Sequence, residues 1–285
     1  MTLPKGFLFS QSSLQDYVDC QRRFQLRYLD RLAWPAVEAE PFLDYEHLID
    51  QGLGFHKIVR QHLIGVPDQD IEHSLGGDEL MQQWWDNYLG SVKSGILQMI
   101  FTPGYERYEE ITLSTPLAEY RLVAKYDLLI LAPDGKMLIL DWKTSQKHPR
   151  RNWLEDRLQT HVYPFVLCRS ATSLRGRDSV DPDRVELIYW FPNHPEQPER
   201  FPYNQNAYLE DSRYLADLIA LISQNSEKIF PLTPDVKRCL FCTYRSLCNR
   251  GVKPGELPHL EDWQEAEPSS GDVSIDYDQI GEIEF

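Results

Sequence analysis

The chain has 285 residues, 42% hydrophobic and 12% aromatic, which suffices for one large domain with a buried core. No run of eighteen apolar residues occurs and the first ten residues lack the long apolar segment of a secretory signal, so no membrane helix is expected and the cytoplasm is the expected compartment. Five cysteines argue against a disulfide framework, and a net charge of −15 argues against a uniformly basic nucleic-acid binder.

The charge is unevenly spread. Residues 256–285 hold ten acids and no Lys or Arg, which leaves about −5 on the rest. Arg22, Arg23, Arg27 and Arg31 form one basic group, and Lys143, Lys147, Arg150, Arg151 and Arg157 another. We therefore expect a single domain over 1–255 and a disordered acidic tail over 256–285.

Ser10 to Leu32 reads as a helix, with Ser12 and Gln15 spaced as a capping box and Leu14, Tyr17, Phe24, Tyr28 and Leu32 on one face. Cys20 lies within it; a lone helical cysteine is ordinarily a small core residue. Residues 45–64 read as a second helix, with Ile49, Gly52, His56, Val59 and Leu63 on one stripe. Gly52 and Gly54 leave room for another segment, and His56 is by spacing a core histidine or a metal ligand. Leu75 to Ile100 reads as helical and belongs to an added helical region at about 65–102. Its Trp84 and Trp85 are expected to pack in a core or lid rather than stack on bases.

Strands are expected at Tyr105–Leu113, 119–131 and 136–143. Side chains alternate along a strand, so Asp141 and Lys143 share one face while Leu138, Leu140 and Trp142 take the other. Pro133-Asp134-Gly135-Lys136 is a turn signal. A hairpin folded about Asp134 sets Asp127 opposite Asp141 or one residue from it. Opposed Cβ atoms lie about 4.5–5.5 Å apart, so the two carboxylates repel unless something bridges them. Mg²⁺ suits that task, since it takes one or two carboxylates and keeps waters for a substrate.

Residues 152–171 read as a helix with Gln159 and Tyr163 on a common face. Pro164 inside it removes the bond to the Thr160 carbonyl and should kink the axis, and Cys168 reads as an inert buried thiol. Val185–Phe191 reads as a buried strand, Asn193–Asn204 as a polar loop and Asn206–Phe230 as a helix. Then comes Cys239-x-x-Cys242-x-x-x-x-x-Cys248. Three cysteines in ten residues point to a metal or cluster, with Cys20 the candidate fourth ligand. Zn²⁺ and a [4Fe–4S] cluster both accept four thiolates, and composition does not separate them.

Asp127 followed by Asp141-x-Lys143 resembles the PD-(D/E)xK nucleases. The remaining motifs resemble the RecB-like branch with an iron–sulfur cluster, which includes the CRISPR-associated Cas4 proteins. Gly52-x-Gly54-x-His56 is similar to its histidine motif, and Gln159-x-x-x-Tyr163 to its Gln-x-x-x-Tyr motif. Leu14-x-x-Tyr17-x-x-Cys20-x-Arg22-Arg23-Phe24, with the three late cysteines, is similar to its cluster-binding pattern.

The resemblance implies an α/β fold with a restriction-endonuclease-like core: a mixed central sheet flanked by helices, an added helical region, and termini stapled by an Fe–S cluster whose C-terminal part spans 231–250. It implies Mg²⁺ or Mn²⁺ on His56, Asp127, Asp141 and the Trp142 carbonyl. Lys143 would orient the attacking water or stabilise the phosphate, and Gln159 and Tyr163 would position the scissile strand. A structural [4Fe–4S] cluster would sit on Cys20, Cys239, Cys242 and Cys248. The implied activity is that of a DNA exonuclease or end-processing nuclease acting on single strands or DNA ends, in repair and recombination or in CRISPR spacer processing. A helicase or CRISPR adaptation proteins are the implied partners. No Gly-x-x-x-x-Gly-Lys-Ser/Thr motor motif is present, so a helicase would be another chain. The alternative is a non-catalytic, cluster-stabilised DNA-binding or adaptor protein that recruits a partner through its acidic tail.

Overall fold

The computed structural model describes residues 3–32, 40–170, 174, 180–225, 228–239 and 242–251. The acidic tail expected over 256–285 lies outside the described residues.

A three-residue strand, β1 (Leu8–Ser10), opens the fold and leads into α1 (Gln11–Asp19). The capping box lies two residues earlier than the sequence pattern suggested. The Ser13 amide donates to Ser10 Oγ at 3.2 Å, and the Ser10 amide to Ser13 Oγ at 2.9 Å. The single helix expected over Ser10–Leu32 is broken at Cys20, whose backbone is extended (φ −160°, ψ 102°). α2 (Gln21–Phe24) and a π turn (Gln25–Leu29) follow. Then come α3 (Glu40–Leu63), α4 (Asp68–Ser74) and α5 (Glu79–Ser94), the last capped by the Asp78 carboxylate on the amides of Leu80 and Met81.

β2 (Glu106–Leu117), β3 (Tyr120–Leu131) and β4 (Met137–Trp142) form an antiparallel meander. The β3–β4 turn forms where expected. Gly135 sits at φ +87°, and the Lys136 amide donates to Asp134 Oδ1 at 2.9 Å. α6 (Arg151–Glu155) and α7 (Leu158–Ser170) replace the one helix expected over 152–171 and carry the chain across to β5 (Val185–Trp190), parallel to β4. Helix α7 runs through Pro164 to its end. An edge strand, β6 (Glu199–Pro202), occupies part of the expected loop, and α8 (Gln205–Asn225) follows.

The sheet is mixed and forked. β2 takes one edge of β3 along its length. On the other edge, β1 pairs in parallel with Arg121–Val123 and β4 pairs antiparallel with Leu128–Leu131. Asp127 is the first β3 residue beyond the β4 pairing, inside the fork. The β2–β3 ladder passes over Asp127 and its opposite residue Glu110, which has a positive φ of 44°. At this point the alternation of β3 slips by one residue: Leu122, Ala124 and Tyr126 share a core with Leu129 and Leu131, while Leu128 and Ile130 face the opposite core.

Helices cover both faces. On one, α1, α7 and α8 bury Leu14, Tyr17, Phe165, Val166, Leu215 and Ile219 against Ile139 and Leu187. On the other, α3 and α5 bury Phe55, Val59, Trp84, Trp85 and Tyr88 against Leu138, Leu140, Trp142 and Trp190. Each fully buried apolar side chain of this kind contributes about 1.5–3 kcal/mol. Trp84 and Trp85 are therefore core residues, and Trp84 Nε1 donates to Asn193 Oδ1 at 2.7 Å. Cys168 is buried, which pushes its thiol up to about 12. No described helix is long and apolar enough to cross a membrane.

Candidate active site

β4 delivers Asp141 and Lys143 on the face of Ile139, toward α7. β3 delivers Asp127, opposite Asp141 in the register that continues from Leu128 against Leu140. α3 brings His56 from the other layer. Its approach depends on Gly52, one turn earlier, because a Cβ there would lie 2.8 Å from Thr144 Oγ1. α7 brings Gln159 and Tyr163.

These residues form two linked sets. In the first, His56 Nδ1 lies 3.1 Å from Asp127 Oδ1, and the Trp142 amide donates to Asp127 Oδ2 at 3.0 Å. The Trp142 side chain points away, into the aromatic core beside Tyr88 and Trp190. In the second, Gln159 Nε2 donates to Asp141 Oδ1 at 2.6 Å while Lys143 Nζ donates to Gln159 Oε1 at 2.7 Å. Lys143 Nζ also stands 3.0 Å from Asp141 Oδ2 and 5.2 Å from the centre of the Tyr189 ring. Asp141, Lys143 and Gln159 are 4%, 6% and 7% exposed, so this linkage is shielded from bulk water.

Burial and mutual charge set the protonation. Burial works against a charged His56, but Asp127 outweighs it by charge and hydrogen bond and holds the imidazole above its usual range. Burial raises Asp127 less than His56 and the Trp142 amide lower it, so its carboxyl sits below the usual range. Burial pushes Asp141 up; Lys143 opposes this, Asp127 adds to it, and the carboxyl ends above its usual range. Burial, then the charges of Asp141 and Asp127, push the Tyr163 phenol well above its usual value, so it stays neutral beside Gln159.

The cysteine segments meet at the C-terminal end of α1. Cys20 occupies the break after Asp19, and Asp19 pairs with Arg238, next to Cys239. The Phe230 amide donates to Gln25 Oε1 and the Tyr244 hydroxyl to the Leu32 carbonyl, both at 2.9 Å, which docks the C-terminal segment on the N-terminal one. The thiols of Cys239, Cys242 and Cys248 each lie within electrostatic reach of Cys20. Burial pushes Cys242 up to about 11 and raises Cys239 and Cys248 too. Among the described residues, no three His, Cys, Asp or Glu side chains close into a metal shell, here or around Asp127 and Asp141.

Sequence reasoning gave Gln15 only as a capping-box partner of Ser12 and did not single out the acids Asp16 and Asp19. Gln15 is buried, and its Oε1 accepts the Leu158 amide at 3.0 Å. The four-residue spacing of Asp19 and Arg23, which pair at 3.0 Å, was the available signal.

The profile of the PD-(D/E)XK nuclease superfamily matches residues 8–249. The chain belongs to the PD-(D/E)XK nuclease superfamily. Its fold is also similar to the crystal structure of a proposed exonuclease from Eubacterium rectale, with a TM-score of 0.50 and 11% identity, covering 80% of this chain and 85% of that one. The crystal structure of SSO0001 overlaps more loosely, with a TM-score of 0.32 and 15% identity over 72% of this chain and 96% of that one. No curated protein matches the chain.

PD-(D/E)XK proteins are generally metal-dependent nucleases, and the oxygen donors here fit a hard cation. Asp141 Oδ2 is buried with no aligned hydrogen-bond donor, its neighbour being the Lys143 ammonium. It shares the fork with the Asp127 carboxylate and the His56 imidazole. The four thiols are of the donor type that a thiophilic metal or cluster takes.

Proposed function

We propose that the chain is a Mg²⁺- or Mn²⁺-dependent deoxyribonuclease, an exonuclease or end-processing enzyme that hydrolyses phosphodiester bonds in single strands or at DNA ends. The observation that carries this reading is the Asp141–Lys143–Gln159 linkage set beside Asp127 and His56 in the fork of the sheet. Asp127, Asp141, His56 and the Trp142 carbonyl would hold the cation, which when bound supplies Lewis acidity and a water activated near neutral pH.

The remaining work falls to side chains. Lys143 offers a fixed positive charge to the phosphate as negative charge builds on it, and orients the attacking water. Gln159 fixes the Lys143 ammonium through Oε1 while its Nε2 holds Asp141, so the two groups cannot drift apart. Tyr163, a neutral phenol beside Gln159, steadies that amide and helps position the scissile strand. Cys20, Cys239, Cys242 and Cys248 would carry a structural [4Fe–4S] cluster that staples the two ends of the domain. Partners that supply single strands or ends fit this role: a helicase in DNA repair, or the proteins of CRISPR adaptation.

The test is cleavage of end-labelled single- and double-stranded DNA by anaerobically purified protein with Mg²⁺, Mn²⁺ or EDTA. We expect metal-dependent degradation, with the rate lowered about 10²–10³-fold in Lys143→Ala and Asp141→Ala and DNA binding retained. DNA binding without metal-dependent cleavage by the wild type would overturn the reading in favour of an adaptor.

A further inference from the structure

Gln159 is the second residue of α7, so its direction is fixed by how the first turn of that helix is held. The first four amides of a helix have no acceptor within it. The first of these, Leu158 N, is met by Gln15 Oε1 from α1 at 3.0 Å. This hydrogen bond joins residues 143 positions apart in a buried setting.

Gln15 is itself held. Its Nε2 donates to Asp19 Oδ1 at 2.9 Å. Asp19 is pinned by Arg23 at 3.0 Å, by Arg157 at 4.0 Å and by Arg238. Asp19 precedes Cys20, Arg238 precedes Cys239, and Arg157 precedes Leu158. One side chain amide thus ties the start of α7 to the point where the two cysteine segments meet. An amide suits both contacts, because its carbonyl accepts a backbone N–H while its NH₂ donates to a carboxylate.

We infer that Gln15 is a positioning residue for the Lys143–Gln159–Asp141 linkage, and that through Asp19 it makes the aim of Lys143 depend on the docking of the cysteine segments. This rests on the nuclease reading above. Gln15 acts through Gln159, by way of the Leu158 amide it accepts at the start of α7. A shift of the α7 start by a fraction of an ångström would redirect Gln159 and the ammonium it holds, and misplacements of about 1 Å can cost up to about 10²-fold in rate.

The experiment measures single-turnover DNA cleavage and DNA dissociation constants for the full chain carrying Gln15→Leu, Gln159→Ala and both, with a thermal midpoint for each. We expect Gln15→Leu to slow cleavage about tenfold with DNA affinity unchanged, and to add less than about twofold once Gln159 is Ala, since the two act in series. Gln15→Glu keeps the acceptor for Leu158 but sets a second carboxylate against Asp19, so it too should slow cleavage with DNA affinity unchanged, which preserves the test if Gln15→Leu folds poorly; wild-type cleavage in Gln15→Glu would overturn the link through Asp19. A lowered midpoint with an unchanged cleavage rate would overturn the inference and leave Gln15 a helix cap. A penalty that multiplies fully with that of Gln159→Ala would overturn it too. Absence of metal-dependent cleavage by the wild type would instead overturn the nuclease reading, and this inference with it.

Discussion

Gly52 and Thr144 share a space that holds only one more atom at a cost. A Cβ on Gly52 would sit 2.8 Å from Thr144 Oγ1, and overpacking of this kind costs about 1–3 kcal/mol. We predict that Gly52→Ala lowers the thermal midpoint and slows cleavage by displacing the helix that carries His56. Thr144→Ala, which deletes the clashing oxygen, should restore most of both in the double variant; additive losses in a double-variant cycle would refute the contact. The charged residues of the fork were legible in the sequence because a strand's alternation and a tight turn are local rules. Asp127, Asp141 and Lys143 came together through the hairpin alone, whereas Gln159 entered through the family resemblance, its helical period giving only the face it shares with Tyr163. Gln15 was misread as a cap partner because its acceptor role is set by a residue 143 positions away, and nothing in the local pattern encodes that.

β5 is tied to both of its neighbours by one acid. Glu186 is buried, bonds Lys136 Nζ just before β4, and takes Arg200 on β6 through two nitrogens at 2.8 Å. The Arg200 hydrogen bonds, against burial and with help from Lys136, hold its carboxyl at about 2, below the 4.5 of a free Glu. A depressed folded value contributes stability that is complete above about pH 4.5 and is lost as the pH falls toward 2. With its partners partly in water, we put that contribution at roughly 1–2 kcal/mol. Urea unfolding at pH 5 and pH 3 should show a smaller loss of stability in Glu186→Gln than in wild type; equal losses would remove Glu186 as the acid-sensitive tie. The strands that sequence reasoning missed, β1 and β6, have three and four residues and owe their form to the edge they join. The break at Cys20 was equally hidden, since Leu14, Tyr17, Phe24 and Tyr28 keep a helical spacing across it. The slip in β3 at Asp127 has no local signal beyond Glu110, an ordinary residue in a left-handed conformation.

At the scale of the whole molecule, two layers of helices enclose a forked sheet, and the fork is where residues from three non-adjacent segments can meet. The mixed sheet with helices on both sides was an expectation drawn from the family resemblance; the shared edge of β3 was not foreseen, because it is a property of pairing rather than of any one strand. The segments around Cys20 and Cys239–Cys248 join the ends of the domain. If a cluster staples them, anaerobically purified protein will carry iron and acid-labile sulfide, and Cys20→Ala will lose both and unfold at lower temperature. A colourless protein with stoichiometric zinc would contradict the iron assignment while leaving the staple. Asp127 and Asp141 are proposed to share one divalent cation across the hairpin. The most direct test is Mn²⁺ binding, followed by paramagnetic resonance, in wild type, Asp127→Ala, Asp141→Ala and Lys143→Ala. Each aspartate variant should weaken Mn²⁺ binding at least about tenfold, whereas Lys143→Ala should leave it intact or tighten it by removing the ammonium that neighbours Asp141 Oδ2. Unchanged Mn²⁺ affinity in both aspartate variants would contradict the shared cation.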